Sequence, residues 1–356
     1  MSIVSRGIRD HRSPRSSRHH SRATGRSVAA AAALALLFAG RASAASPAHG
    51  LCAAATDQTP TPPYLAVLSA FPAELAPLVA AAEIEETVEV AGHSYYTGTL
   101  DGVSVILGLT GIGMVNAERT AENVLTSFDV AGLVVSGVAG SHHRIGDVVV
   151  PDRWRERRRR FRVNRALLAL AQRGATALEA PLERCTAVPP TDPDAEIVCL
   201  PFDPAIVFGG HGSSGDSFGD TAVPCLPDGG EVLGCDLPTP DATGFALHTA
   251  AQHTLPDVQD METAAVARVA RRHRVPFLAV RAVSDGAGDP LGDRGFPEQF
   301  FDYYRLAAEN AGLITRALVG ALGQLARDEP SRHTCDLLAK GRWRRAAKLI
   351  LAPLAD

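Results

Sequence analysis

The sequence predicts an α/β fold, a layered sheet with helices on both faces. Three features point to it: apolar runs of strand length alternate with amphipathic helical patterns, several runs are apolar throughout, and glycine or proline bounds most of them. "YLAVLSAF", from Tyr64, reads as a strand and passes into "PAELAPLVAAA", a helical pattern opened by Pro72. "HSYYTGTLDGVSVILGLTG" reads as two strands joined at Asp101-Gly102, a favoured hairpin turn. "GIGMVNAERTAENVLTSF" is an amphipathic helix, and "AGLVVSGVAG" and "GDVVVP" are Val-rich buried strands. From Asp152 to about Pro204 the pattern degrades. There "RWRERRRRFR" reads as a solvated loop or helix face, with an anion-binding cluster as the alternative. "AIVFGGHGSSGDSF" is a further strand candidate, and "TAVPCLPDGGEVLGCDLPTPDATG" reads as a stapled excursion from the core. A helix after Asp260, the strand "PFLAVRAVSD" and a helix from about Pro297 to Leu325 complete the domain.

With 356 residues, 46% hydrophobic and 21% charged, the chain can bury one sizeable core. Residues 1–44 hold eight arginines and one acid, so removing them takes the net charge from -4 to -11. An acidic mature protein argues against nucleic acid as a partner. The leader ends in a short apolar core (Val28 to Ala39) and an Ala-x-Ala site at Ala42 to Ala44, the pattern of a secretory signal. Its core is too short to span a bilayer, which needs about 20 residues, so no stable membrane anchor is expected. Residues 45–63 then read as a Pro/Thr linker, 64–326 as the folded domain with an irregular cysteine-bearing region at 152–250, and 327–356 as a basic tail. That tail reads as an amphipathic helix packed on its own domain, or on a surface or partner. Six cysteines in an exported chain suggest disulfides, with secretion or the periplasm as the location, although reduced buried thiols remain the alternative. No pair has the short spacing of a zinc site, so neither metal nor organic cofactor is expected.

Ligands of such sheets bind at the carboxyl ends of the strands, and acids stand at several of those ends. Asp285 closes "FLAVRAVSD"; an apolar surround would raise its pKa toward that of a general acid, while the alternative is a cap on the following Gly-rich turn. Glu262 opens the helix "TAAVARVARR", where a first-turn acid also complements the helix dipole, and Asp260 is a natural N-cap. Glu74 follows the first strand, at a position where surface helix glutamates are common. The turns "LTGIG", containing Gly111, and "SGVAGS" let backbone approach a ligand, and "TGIG" before a helix could hold an anion.

Taken with "LAVLSAFPAEL", "LTGIGMVNA", "VVSGVAG", "IGDVVVP" and "SSGDSF", the stretch "DMETAAVARVARRHRVPFLAVRAVSD" resembles the nucleoside phosphorylase and nucleosidase superfamily from about Tyr64 to Leu325. The resemblance is strongest to methylthioadenosine/S-adenosylhomocysteine nucleosidases and to the exported plant bark storage proteins related to them. It implies a three-layer αβα fold with a central mixed, partly barrel-like sheet, a purine nucleoside as small-molecule partner, and a homo-oligomer. It also implies that Asp285 serves N7 of the leaving purine with Ser284 orienting it, that Glu262 beside Met261 holds the ribose hydroxyls, and that Glu74 activates water. Phe218 matches the aromatic residue that stacks on the base, with a core aromatic as the alternative. Val138, Ala139 and Gly140 match the loop under ribose and base, with Val where the compact nucleosidases carry Ser. Phosphorylases of the family tend to carry arginine near the positions of Glu74 and Val135, where this chain has an acid and an apolar residue, so hydrolysis is expected over phosphorolysis. Arg281 is the cation of the matched strand, and "SHHR" (Ser141 to Arg144) could still contact phosphate. The alternatives are a phosphorylase or a storage or nucleoside-binding protein.

Overall fold

The apolar runs form the middle of a 12-stranded mixed sheet in the computed structural model, which describes residues 63–237 and 256–328. In chain order the elements are β1 (Tyr64–Ser69), α1 (Pro72–Ala81), β2 (Glu83–Val90), β3 (His93–Leu100), β4 (Val103–Leu109), α2 (Met114–Ser127), β5 (Val130–Arg144), β6 (Val148–Val150), β7 (Arg153–Glu156) and β8 (Arg159–Arg162). There follow α3 (Arg165–Thr176), β9 (Cys185–Val188), β10 (Glu196–Cys199), β11 (Ile206–Phe208), β12 (His211–Ser214), α4 (Gly230–Leu233), β13 (Val258–Asp260), α5 (Thr263–His273), β14 (Phe277–Ala287) and α6 (Glu298–Asp328).

Strand β1 lies between β4 and β5, parallel to both, with Val67 opposite Leu107 on one side and Val134 on the other. All three are fully buried, as expected for strands covered on both faces. β5 is the branch point of the sheet: it is parallel to β1 and β14, and at Gly140 it meets β13 antiparallel. Helices α1 and α3 pack on α6 against β14 and β5, and α2 and α5 form a second helical layer. The hairpin turn at Asp101-Gly102 forms as expected, with both residues at positive φ (47° and 79°).

Helices α3 and α6 approach so closely that a Cβ on Gly174 would overlap the Ala317 carbonyl. Gly174→Ala is therefore expected to cost on the order of 1–3 kcal/mol. Gly320→Ala, whose new methyl would meet nothing nearer than 3.9 Å, serves as the control in the same thermal melt.

The degraded region is more ordered than the sequence suggests. The arginine run is the hairpin β7–β8, not a loop or helix face: Trp154 pairs with Phe161, both are buried, and the arginines alternate outward. "RALLALAQRGAT" is helix α3, whose N-cap Asn164 accepts a hydrogen bond from the Leu167 N–H at 3.1 Å. "AIVFGGHGSSGDSF" holds two short strands, split where Gly209 and Gly210 take positive φ. Disulfides join Cys185 to Cys199 across β9–β10 and Cys225 to Cys235 around α4. The expected leader and nearly all of the linker and basic tail lie outside the described residues, as do Cys52 and Cys335.

Candidate active site

Several chain segments meet at one cavity of about 560 Å³, and five of them come from or follow strands, most at their carboxyl ends. After β1 come Ala70, Phe71 and Glu74; β5 supplies Val138, Ala139, Gly140 and Ser141; β12 is followed by Gly215 to Ser217; β13 leads into Met261 and Glu262; β14 ends with Ser284 and Asp285. Eight of the ten ligand-site residues read from the sequence line this space: Glu74, Val138, Ala139, Gly140, Met261, Glu262, Ser284 and Asp285. Phe218 and Gly111 do not. The Phe218 ring packs beside Gly113, and Gly111 forms the turn before α2 with φ 73°.

The floor of the cavity is a cluster of charged groups. Arg281, fully buried on β14, pairs with Asp260 at 2.8 Å, Glu74 at 3.5 Å and Glu262 at 3.6 Å, and it donates to the Val138 carbonyl and Thr263 Oγ1. Burial works against its charge, but the surrounding carboxylates, Asp260 foremost, raise its pKa above the ordinary value. Glu74 Oε2 accepts the Ala70 N–H at 2.6 Å and Oε1 accepts the Val138 N–H at 2.7 Å. Gly137 makes this packing possible, because a Cβ there would overlap both the Glu74 carboxylate and the Arg281 guanidinium. Burial raises the Glu74 pKa against the opposing pull of Arg281 and those two N–H groups.

Glu262 occupies the N-cap position of α5, one residue ahead of the first turn in which the sequence placed it. Asp260 does the capping from two residues earlier, accepting the N–H groups of Glu262 and Thr263 and the hydroxyls of Ser214 and Thr263. Glu262 reaches across to α2, where its Oε1 accepts the Gly113 N–H at 2.9 Å. Asp216 takes the adjacent Met114 N–H at 2.6 Å. The helix start that could have held an external anion thus holds two carboxylates of the chain itself.

Burial, reinforced by Asp260, pushes the Glu262 carboxyl up to about 8 against the opposing effect of Arg281. The folded chain then keeps a proton there that an unfolded carboxyl, ordinarily near 4.5, has lost. This contribution to stability is complete below the unfolded value and disappears as pH rises toward 8. We expect the loss of denaturant resistance between pH 5 and 8 to be smaller in Glu262→Gln than in the unaltered chain. Equal slopes in urea titrations would contradict this.

Asp285 lines the same cavity. Its Oδ1 accepts from Ser284 Oγ at 2.8 Å, and burial raises its pKa against that bond. A Cβ on Gly140 would come within 2.6 Å of its other oxygen, so the glycine makes room for the carboxylate. Part of the cavity wall is aromatic: Phe71, Phe296, Phe300 and Phe301 line it, with Phe71 edge-on to Phe300 at 5.9 Å and Phe296 at 5.7 Å from Phe300. The sequence reading missed this wall, although the "FPEQFF" ahead of the last helix was a visible signal.

A family model described as the phosphorylase superfamily matches residues 64–320. The chain belongs to this superfamily. An uncharacterized protein of Mycobacterium tuberculosis is 37% identical over 185 residues, spanning 47% of this chain and 74% of that one. The 5'-methylthioadenosine/S-adenosylhomocysteine nucleosidase of Psychromonas ingrahamii is 24% identical over 263 residues, 72% of this chain and 99% of the enzyme. Among solved structures, the corresponding nucleosidase of Colwellia psychrerythraea, in complex with adenine, superposes with a TM-score of 0.51 at 21% identity, over 73% of this chain and 96% of that one. The phosphorylase-superfamily fold is thus common to proteins that share about a fifth of their residues with this chain.

Proposed function

We propose that this phosphorylase-superfamily protein is an exported purine nucleosidase that hydrolyses the N-glycosidic bond of adenosine-type nucleosides, methylthioadenosine among them. One observation carries the choice of water over phosphate: Arg281 and the start of α2, two features that could hold a phosphate dianion, are already taken up by carboxylates of the chain. The remaining cation in the cavity lining, Arg294, is exposed and sits beside Asp293.

In this reading a purine lies along the aromatic wall with its ribose over Met261 and Glu262. A carboxyl poised near neutrality can both donate to and accept from a vicinal diol, which suits Glu262 to that place. Glu74, made more basic by burial, takes a proton from water as the water oxygen bonds to the anomeric carbon. The glycosidic bond breaks, its electron pair leaves with the purine, and Asp285 passes its proton to N7. Two acids with raised pKa values lining one cavity, one ionised and one protonated, can serve these two tasks together. Export draws support from the arginine-rich leader and from the two disulfides.

The test incubates the mature protein with methylthioadenosine, adenosine and inosine, with and without phosphate. Free base and free reducing sugar in phosphate-free buffer are expected. Strict dependence on phosphate would make the protein a phosphorylase, and absence of turnover would leave a binding or storage role.

A further inference from the structure

Behind the cavity wall, where β5 runs past Ser141, two adjacent histidines turn toward one carboxylate. His142 Nε2 and His143 Nε2 each lie 3.9 Å from Asp257 Oδ1, and the three ligand atoms fall within 4.8 Å of one another. Neighbouring side chains on a regular strand point to opposite faces. Here the β5–β14 register is irregular around Asp285 and Ala287, and the two imidazoles lie side by side, 4.4 Å apart at 30°. A bulge of this kind is a known device for re-aiming a side chain.

We infer that His142, His143 and Asp257 form a binding site for a divalent transition metal of the zinc type. The hydrogen bonding presents lone pairs: His142 Nδ1 faces the Pro256 carbonyl at 3.3 Å, which fixes a proton on that nitrogen and leaves Nε2 to coordinate. His143 Nε2 is buried and has no hydrogen-bond partner among the described residues, a cost that a bound metal would remove. Asp257 is held in place by the His211 N–H on Oδ2 at 2.6 Å and by the Ser141 hydroxyl on its carbonyl. His211 Nδ1 stands 3.6 Å from that same Oδ2, beside the three ligands.

Tetrahedral zinc, with bonds of about 2.0–2.1 Å, sets its ligand atoms roughly 3.3 Å apart, so closing the site draws each imidazole about half an ångström toward Asp257 and the two imidazoles up to about 1.5 Å toward each other, a movement for side-chain rotation of the half-exposed His142. Calcium and magnesium are poor candidates because they require several oxygen ligands and the cluster holds one carboxylate among the described residues. Arg153, Arg155 and Arg160 line the adjoining 350 Å³ hollow, which favours an anion or water at the open fourth position. A metal here would tie the cavity-lining Gly140–Ser141 stretch to the segment that enters β13 and Glu262.

The experiment uses full-length, untagged protein stripped with chelator, titrated with zinc sulfate by calorimetry and with cobalt(II) by visible absorbance. We expect about one equivalent bound, a four-coordinate cobalt spectrum and a zinc-dependent rise in melting temperature. Asp257→Asn keeps an oxygen for the His211 N–H, and His142→Ala alters a half-exposed ring, so both variants should melt like the metal-free parent. Each is expected to weaken zinc binding by roughly tenfold or more. No uptake, or uptake that persists unchanged in both variants, overturns the assignment; the second result would place the metal on histidines elsewhere, such as those of the leader.

Discussion

Replacing Asp285 by asparagine is expected to lower turnover by about 10²–10⁴-fold, the usual contribution of a positioned general acid. At 1.36 kcal/mol per tenfold, this corresponds to roughly 3–5 kcal/mol of barrier. The amide keeps the shape and the hydrogen bond from Ser284 but has no proton to give to the leaving purine. Stability should hold or rise, because burial penalises the charged form of Asp285 and the amide carries no charge. The measurement is single-turnover release of base from methylthioadenosine, with a thermal melt alongside. A rate near that of the unaltered enzyme, in a protein that melts normally, would remove Asp285 from its role.

Arg281→Met should give the largest loss of stability of any single change in the site. The guanidinium is fully buried and faces Asp260, Glu74 and Glu262, so its removal leaves like charges together in a dry interior. Breaking a buried pair on one side costs about 3–5 kcal/mol, enough to lower the melting temperature by on the order of 10 °C in a domain of this size. Adding Asp260→Asn to Arg281→Met should restore part of the loss, since it removes the carboxylate nearest the lost cation. A purely steric role for Arg281 predicts no such recovery, and the double-mutant comparison decides between the two.

The parts of this fold that the sequence disclosed are those whose side chains share one environment along a whole segment. β1, the first ten residues of β5 and the start of β14 are long, mostly apolar runs, and α2 and α5 show a clear helical face. The parts it concealed have mixed environments. β7 and β8 bury only Trp154 and Phe161 among arginines, so the alternation is carried by a single inward residue per strand and charge dominates the pattern. β2 is mostly exposed and acidic, with its order supplied by pairing to β3 and not by burial.

The same contrast holds in the site. Glu74, Glu262 and Asp285 were visible because each follows a recognisable strand or opens a helix. Arg281 was visible only as a cation in an apolar strand, and its link to Asp260 depends on the fold bringing β13 and β14 to the same branch point. Phe300 and Phe301 stood in a helix whose pattern suggested ordinary packing, while Phe218, read as the stacking residue, lies against Gly113.

One guanidinium set against Asp260, Glu74 and a mostly protonated Glu262 leaves Arg281 with no positive charge to spare before any ligand enters. A 5'-phosphorylated nucleotide would bring a further charge of about -1.5 to -2 into that field. On the nucleosidase reading, such molecules are turned away and uncharged ribosides are admitted. A nucleosidase of that kind would then act only on ribosides whose phosphates had already been removed.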